Sequence, residues 1–318
     1  MLTYILFVIG FALLIKGADL LVDGASSIGK KLNISAIMIG LTIVAFGTSM
    51  PELIVNLFAV AGGNTDIAIG NILGSNIANV LLILGVSAII YPLATKENTV
   101  WKEIPLSLLA AILLGVMAND MLIDGVGFSE LTRIDGIVLL AFFIIFMYYT
   151  FMIARVKGEA SDSDIKQFSN LKSILYIISG LAGLTIGGKW IVDGAVKIAE
   201  LFNMSQSLIG LTIVAVGTSL PELATSATAA YKKQTDIAIG NVVGSNMFNI
   251  FFILGISAVI HPLPFDTDSF GDILMTVFAS LILFAVMFIG KRHTVKRWQG
   301  ALFVMIYIGY IVYLVNTK

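Results

Sequence analysis

Leu41–Leu53 reads LTIVAFGTSMPEL, and 170 residues further on Leu211–Leu223 reads LTIVAVGTSLPEL. Each copy drives a threonine, a serine, a proline and a glutamate through an otherwise apolar run. A carboxylate in hydrocarbon costs from roughly 3 to more than 10 kcal/mol, depending on how the cost is measured. A chain that accepts this cost twice, in the same words, uses the two carboxylates for something.

The surroundings of both copies are those of a membrane protein. Of 318 residues, 58% are hydrophobic and 12% charged, and the mean hydropathy is +0.98. Soluble domains carry about a quarter charged residues. The net charge of −1 says little about partners, because the placement of the charges matters more. Basic residues nowhere gather beside a polar fold, which argues against nucleic acid. The absence of cysteine excludes disulfides and thiolate metal sites. The opening MLTYILFVIGFALLIKGADL has no basic leader or small-residue cleavage site, so it reads as a first span.

Spans of about 20 apolar residues are expected near 2–29, 35–61, 66–91, 103–120, 132–154, 172–199, 205–231, 236–262, 271–290 and 298–317. Asn33-Ile34-Ser35 and Asn203-Met204-Ser205 read as helix N-caps. The hydrophilic stretch RVKGEASDSDIKQFSN, Arg155–Asn170, is too short for a domain and parts the chain into 1–154, a cytoplasmic linker 155–171, and 172–318. These halves are repeats. Val22-Asp23-Gly24-Ala25 returns as Val192-Asp193-Gly194-Ala195, and TDIAIGNILGSNIANVLLILGVSAII (Thr65–Ile90) as TDIAIGNVVGSNMFNIFFILGISAVI (Thr235–Ile260). Five spans separate equivalent points, so the second copy crosses in the opposite sense. The fold class expected is an all-α integral membrane protein of ten transmembrane helices in two inverted five-helix repeats.

Charge placement agrees. Lys30, Lys31, Lys96, Lys102, Arg155, Lys157, Lys166, Lys232, Lys233, Lys291, Arg292, Lys296 and Arg297 fall in alternate loops, which the positive-inside rule puts in the cytoplasm. Both termini then lie outside a multi-pass cell-membrane protein. Inverted repeats of this kind hold their site at the midplane between the halves.

Pro51 has no N–H, so the Gly47 carbonyl loses its helical partner, and the carbonyls of Ala45 to Thr48 become candidate ligands. Thr48 and Glu52 share a helical face, with Ser49 beside them. Ala215, Thr218, Ser219 and Glu222 repeat the arrangement around Pro221. Ser75 and Asn79 lie four apart on one face, as do Ser245 and Asn249. The set is carboxylates, hydroxyls, amides and carbonyls. All-oxygen sets suit hard cations such as calcium and sodium. One Ca2+ balances two glutamates, as do two Na+, and an unloaded pair is disfavoured in transit. Charge therefore favours exchange over one-way transport.

The paired GTS[ML]PE and GN-x-x-GSN-x-x-N motifs, within ten spans of inverted repeat, resemble the sodium/calcium exchanger branch of the calcium/cation antiporters, over essentially the whole chain. The resemblance implies calcium coordination by Glu52 and Glu222 with backbone oxygens of Thr48 and Thr218. It implies sodium sites at Ala45, Ser49, Ser75, Ala215, Ser219 and Ser245, with Asn79 and Asn249 lining the centre. It also implies a first and sixth helix that slide past this core. Some prokaryotic members carry aspartate where Asn249 stands, as potassium-dependent members tend to. Two asparagines here argue against potassium dependence and leave a proton role at the centre open. The proton/calcium branch shows Gly-Asn-x-x-Glu, which this chain lacks, so sodium is the favoured counter-ion and a calcium/proton antiporter the alternative. The short linker has no room for a regulatory calcium domain, as in prokaryotic exchangers. No cofactor is expected beyond the transported ions, and the chain is expected to work as a monomer in the bilayer.

Other polar residues have plainer readings. Lys16 with Asp19, and Lys189 with Asp193, have the spacing of local helix ion pairs. Gly70 and Gly74, with Gly240 and Gly244, suit close helix packing. His261 and His293 sit at a span end and in a basic loop, where they ligate nothing. A cation channel would draw its filter from several subunits. A hydrolase needs a nucleophile and base or an open metal, neither of which the spans offer.

Overall fold

Within a bilayer only a helix or a closed barrel satisfies all its backbone N–H and C=O groups internally, and this chain takes the first course. A computed structural model describes residues 2–123, 125, 127–154, 166–201, 215–265 and 269–317. In chain order the principal helices are α1 (Leu2–Leu32), α2 (Ala36–Thr48), α3 (Met50–Ala61), α4 (Thr65–Ile90), α5 (Thr99–Met117), α6 (Arg133–Ala154), α7 (Asn170–Leu201), α8 (Ala215–Thr218), α9 (Leu220–Tyr231), α10 (Thr235–Ile260), α11 (Ser269–Val286) and α12 (Arg297–Thr317). Eight are long and apolar enough to span, and α2 with α3 makes a ninth, bent by 44°. The tenth expected span, 205–231, begins with Asn203-Met204-Ser205 outside the described residues, and continues as α8 and α9.

The helix ends correct one expectation. Asn33 closes α1 with a left-handed φ of 52°, a conformation asparagine adopts more readily than most residues. The Ile34 N–H returns to the Gly29 carbonyl at 2.8 Å. Asn33 thus stops one helix instead of capping the next. Ser35 holds the N-cap position with no side-chain bond.

Two helices form the centre. In α4 and α10, 78% of the most apolar window is buried, and α2, α3 and α9 pack on them. Gly240 and Gly244 meet α2 directly: a Cβ on Gly240 would lie 2.7 Å from the Ile37 carbonyl oxygen, and one on Gly244 2.8 Å from that of Leu41. The equivalent contact of Gly70 and Gly74 would involve 207–215, mostly outside the described residues.

Outside this core, α1 and α7 pair along most of their length. A Cβ on Gly10 would fall 2.9 Å from the Gly187 carbonyl oxygen, one on Gly17 2.8 Å from that of Gly180, and one on Gly24 2.8 Å from that of Ser173. The partner number falls as the first rises, so these repeat-equivalent helices run antiparallel, backbone on backbone.

Two short antiparallel ladders tie the loops, and their alternation is too brief to be foreseen. β1 (Leu93–Ala94) pairs with β4 (Thr294–Val295), and β2 (Ser129–Leu131) with β3 (Leu263–Phe265). The first joins the basic loops of the two halves; the second joins loops poor in lysine and arginine. A further buried acid, Glu103 of α5, accepts the Tyr149 hydroxyl of α6 at 2.5 Å, and Asp272 of α11 accepts that of Tyr310 in α12 at 2.6 Å.

At one end of the bundle Lys232, just past α9, bonds Asp19 at 2.5 Å and Asp23 at 2.6 Å on α1. It also donates to the Asp19 carbonyl at 3.1 Å. Lys16 pairs with Asp19 at 2.9 Å, as its spacing predicts. Lys189 and Asp193 form no ion pair among the described residues. Lysine preceding the acid by four is the weaker order on a helix, and both side chains are exposed.

Candidate functional site

The repeated motif folds as two broken helices. Ser49, at φ −82° and ψ 5°, separates α2 from α3, and Ser219, at φ −87° and ψ 4°, separates α8 from α9. Pro51 and Pro221 fall in the first turn of the following helix, where a missing N–H costs nothing. The Ser49 N–H returns to the Ala45 carbonyl at 3.0 Å, whereas that of Ser219 returns to Val216 at 3.2 Å. The Thr48 hydroxyl oxygen also lies 3.3 Å from the Ala45 carbonyl, farther than from its other acceptor, Asn241 Oδ1, at 3.1 Å. The Ala45 carbonyl is therefore engaged, and not bare as the proline alone suggests. Ala215 opens α8 at the edge of the described residues.

The breaks place Glu52 and Glu222, each about 1% exposed, at the start of α3 and α9. The two halves then bond each other's carboxylate. Ser49 donates to Glu222 Oε1 at 3.2 Å, and Ser219 to Glu52 Oε1 at 3.4 Å. Ser75 adds a bond to Glu52 Oε1 at 3.3 Å, and its oxygen lies 3.1 Å from that of Ser219, whose single proton is shared between Ser75 and Glu52. Ser245 is fully buried.

Where the central asparagines stand, both middle helices widen. The π-helical turns Asn79–Ile83 and Phe248–Leu254 interrupt α4 and α10, a distortion frequent at functional sites. Asn79 Nδ2 donates to Asn246 Oδ1 at 2.9 Å, and Asn249 Nδ2 to Asn76 Oδ1 at 2.9 Å. Asn246 Nδ2 meets the Asn76 carbonyl, which fixes its amide oxygen toward Asn79. Among the described residues Glu52 Oε2, Glu222 Oε2, Asn79 Oδ1 and Asn249 Oδ1 are buried without a hydrogen bond. Unmet polar atoms at such depth are costly, and these four, with Ser245 Oγ, belong to residues singled out by sequence.

A layer behind these was not foreseen. Asn71 donates to the Glu52 carbonyl at 3.4 Å and to Asn56 Oδ1 at 2.7 Å, and accepts the Thr218 hydroxyl at 3.2 Å. Asn241 donates to the Glu222 carbonyl at 3.4 Å and to Ser226 at 2.9 Å, and accepts that of Thr48 at 3.1 Å. The GN-x-x-GSN motif contained both asparagines, yet one partner of each, Thr218 for Asn71 and Thr48 for Asn241, lies in the opposite half.

Among the described residues, neither glutamate meets a lysine, arginine or histidine. Nor do three or more histidine, cysteine, aspartate or glutamate residues cluster. His261 is exposed, its ring nitrogen against the Pro262 carbonyl. The carboxylate pair is thus surrounded by neutral oxygens, which can compensate a cation's lost hydration but cannot neutralise the glutamates.

The family described as sodium/calcium exchanger protein matches residues 2–152 and 172–316. The chain belongs to that family. This exchanger is 35% identical over 344 aligned positions to the sodium/calcium exchanger MaX1 of Methanosarcina acetivorans, covering 98% of each chain. It is 34% identical to the inner membrane protein YrbG of Escherichia coli, over 97% of this chain and 94% of that one. Among solved structures it is similar to the sodium-calcium exchanger NCX_Mj soaked with 10 mM Na+ and zero Ca2+, with a TM-score of 0.85 and 35% identity, over 100% of this chain and 99% of the other. The exchanger is accordingly a multi-span membrane transporter of cations.

Proposed function

We propose that the protein exchanges Ca2+ for Na+ across the cell membrane by alternating access. The ions are held at the midplane between inverted five-helix repeats, 1–154 and 172–318, joined by a cytoplasmic linker at 155–171. The observation that carries this reading is the crossed pair Ser49–Glu222 and Ser219–Glu52. It draws one carboxylate from each half into one buried set of neutral oxygens.

On this reading Glu52 and Glu222 hold Ca2+ with the backbone oxygens of Thr48 and Thr218. Sodium takes sites built from Ala45, Ser49, Ser75, Ala215, Ser219 and Ser245, and Asn79 and Asn249 line the centre. Two carboxylates ask for two positive charges, so a loaded site of either kind is close to neutral and crosses hydrocarbon at far less cost than the bare pair. That requirement couples the two fluxes. A monomer suffices, both termini lie outside, and no cofactor enters beyond the transported ions.

The alternative is exchange of calcium for protons. The surrounding hydroxyls and amides favour sodium, since a proton needs the carboxylates alone. Calcium uptake into proteoliposomes under an imposed sodium gradient, or an imposed pH gradient, tests this. Uptake is expected with sodium inside and none with the pH gradient alone. Uptake driven by protons and indifferent to sodium overturns it.

A further inference from the structure

Asn71 and Asn241 are buried, and every polar side-chain atom of each is already hydrogen-bonded. Both N–H groups of Asn241 are used, on the Glu222 carbonyl and Ser226, and its oxygen takes the Thr48 hydroxyl. Asn71 is used in the same way by the Glu52 carbonyl, Asn56 and Thr218. The orientation is fixed by valence. A backbone carbonyl only accepts, so the NH2 end faces the glutamate and the oxygen faces the threonine. Each planar amide therefore spans from a threonine of one half to a glutamate of the other.

We infer that Asn71 and Asn241 are positioning residues that set the span of the calcium cage, and so decide which divalent cations fit it. This rests on the calcium reading above, in which the backbone oxygens of Thr48 and Thr218 face the ion together with both glutamates. The clasp Thr48–Asn241–Glu222 ties the threonine hydroxyl of the first half to the backbone carbonyl of the second half's glutamate, and so fixes the main chain that carries each ligand. Thr218–Asn71–Glu52 does the converse. Discrimination among hard cations depends on cavity size, ligand number and rigidity. Residues that hold ligands in place commonly influence affinity by 10- to 100-fold. Without a clasp the cage can widen, so larger divalent ions lose their disadvantage.

The test uses the purified full-length protein and its cation-dependent thermal stabilisation, titrated separately with Ca2+, Sr2+ and Ba2+. Thr48→Val keeps the backbone oxygen and removes the clasp; Asn241→Ala removes it from the other end. Each is expected to shift the ratio of Ba2+ to Ca2+ half-saturating concentrations toward Ba2+ by about tenfold. The double variant is expected to shift it no further than the larger single change. Thr48→Ser, which keeps the hydroxyl, should restore the wild-type ratio. Thr48→Val combined with Asn71→Ala, which breaks both clasps, should give the product of the single effects. A ratio within about twofold of wild type in Thr48→Val overturns the clasp and leaves the calcium reading standing. If Asn241→Ala does not fold, Thr48→Val and its serine rescue decide alone. A wild-type protein stabilised by none of the three ions sinks the calcium reading and the clasp with it.

Discussion

The Ser49 hydroxyl lies 3.2 Å from Glu222 Oε1, in the opposite half of the chain, and its repeat counterpart Ser219 reaches back to Glu52. The carboxylate of each half is thus oriented by the other. A hydrogen bond to a charged group contributes about 1.5–3 kcal/mol. Ser49→Ala should raise the half-saturating calcium concentration by roughly tenfold. Ser219→Ala should raise it by a similar factor, because its one proton is shared between Glu52 and Ser75. Initial rates of calcium uptake against concentration check both, and negligible effects would count against the crossed arrangement.

Replacing Glu52 or Glu222 by Gln preserves shape and removes one charge. Each variant should lose calcium uptake altogether, since one remaining carboxylate neither balances a divalent ion nor matches two sodium ions. Without ions the variants should melt at or above the wild-type temperature, because a neutral amide is cheaper to bury than an uncompensated carboxylate. Melting curves beside flux measurements separate the two effects.

Lys232→Met breaks three contacts at once, in a setting where the lysine side chain is 22% exposed. A loss of about 1–3 kcal/mol of stability is expected. Lys16→Met, with its side chain 67% exposed, should change stability by less than about 0.5 kcal/mol. Denaturation of the two variants side by side reads the difference.

Gly17→Ala puts a methyl group 2.8 Å from the Gly180 carbonyl oxygen, with backbone on both sides and no side chain to yield. Overpacking of this kind costs about 1–3 kcal/mol. Gly309→Ala, on α12 with nothing within 4 Å, should instead be neutral or stabilise by up to about 1 kcal/mol through helix propensity. Opposite signs in thermal melts are the expected outcome.

Much of this architecture is written locally. A span shows in twenty consecutive apolar residues, and the breaks at Ser49 and Ser219 show in the prolines that follow them. What meets across the halves is not local. Asn71 and Thr218 are 147 residues apart, and Asn241 and Thr48 are 193 apart. In the sequence these asparagines are members of the GN-x-x-GSN motif with no partner indicated. Lys232 meets Asp19 213 residues away, so its pairing cannot be seen in helical spacing, which correctly suggested Lys16. Spacing also misled: Lys189 and Asp193 are four apart without pairing. Hydropathy cannot rank buried acids either. Glu103 is about as buried as Glu52, and its bond from Tyr149 on the neighbouring helix is one mark that distinguishes its setting.

The crossed bonds also impose an order of events on the chain's birth. Ser219 follows Glu52 by 167 residues, and at roughly 5–20 residues per second the ribosome needs on the order of ten seconds to reach it. Through that interval the first half sits at the membrane with its glutamate made and the serine of the opposite half not yet translated. The nascent protein must keep Glu52 hydrated or protonated until the later half arrives. The site therefore cannot be completed before much of the second half has been made, whatever the order in which the helices insert.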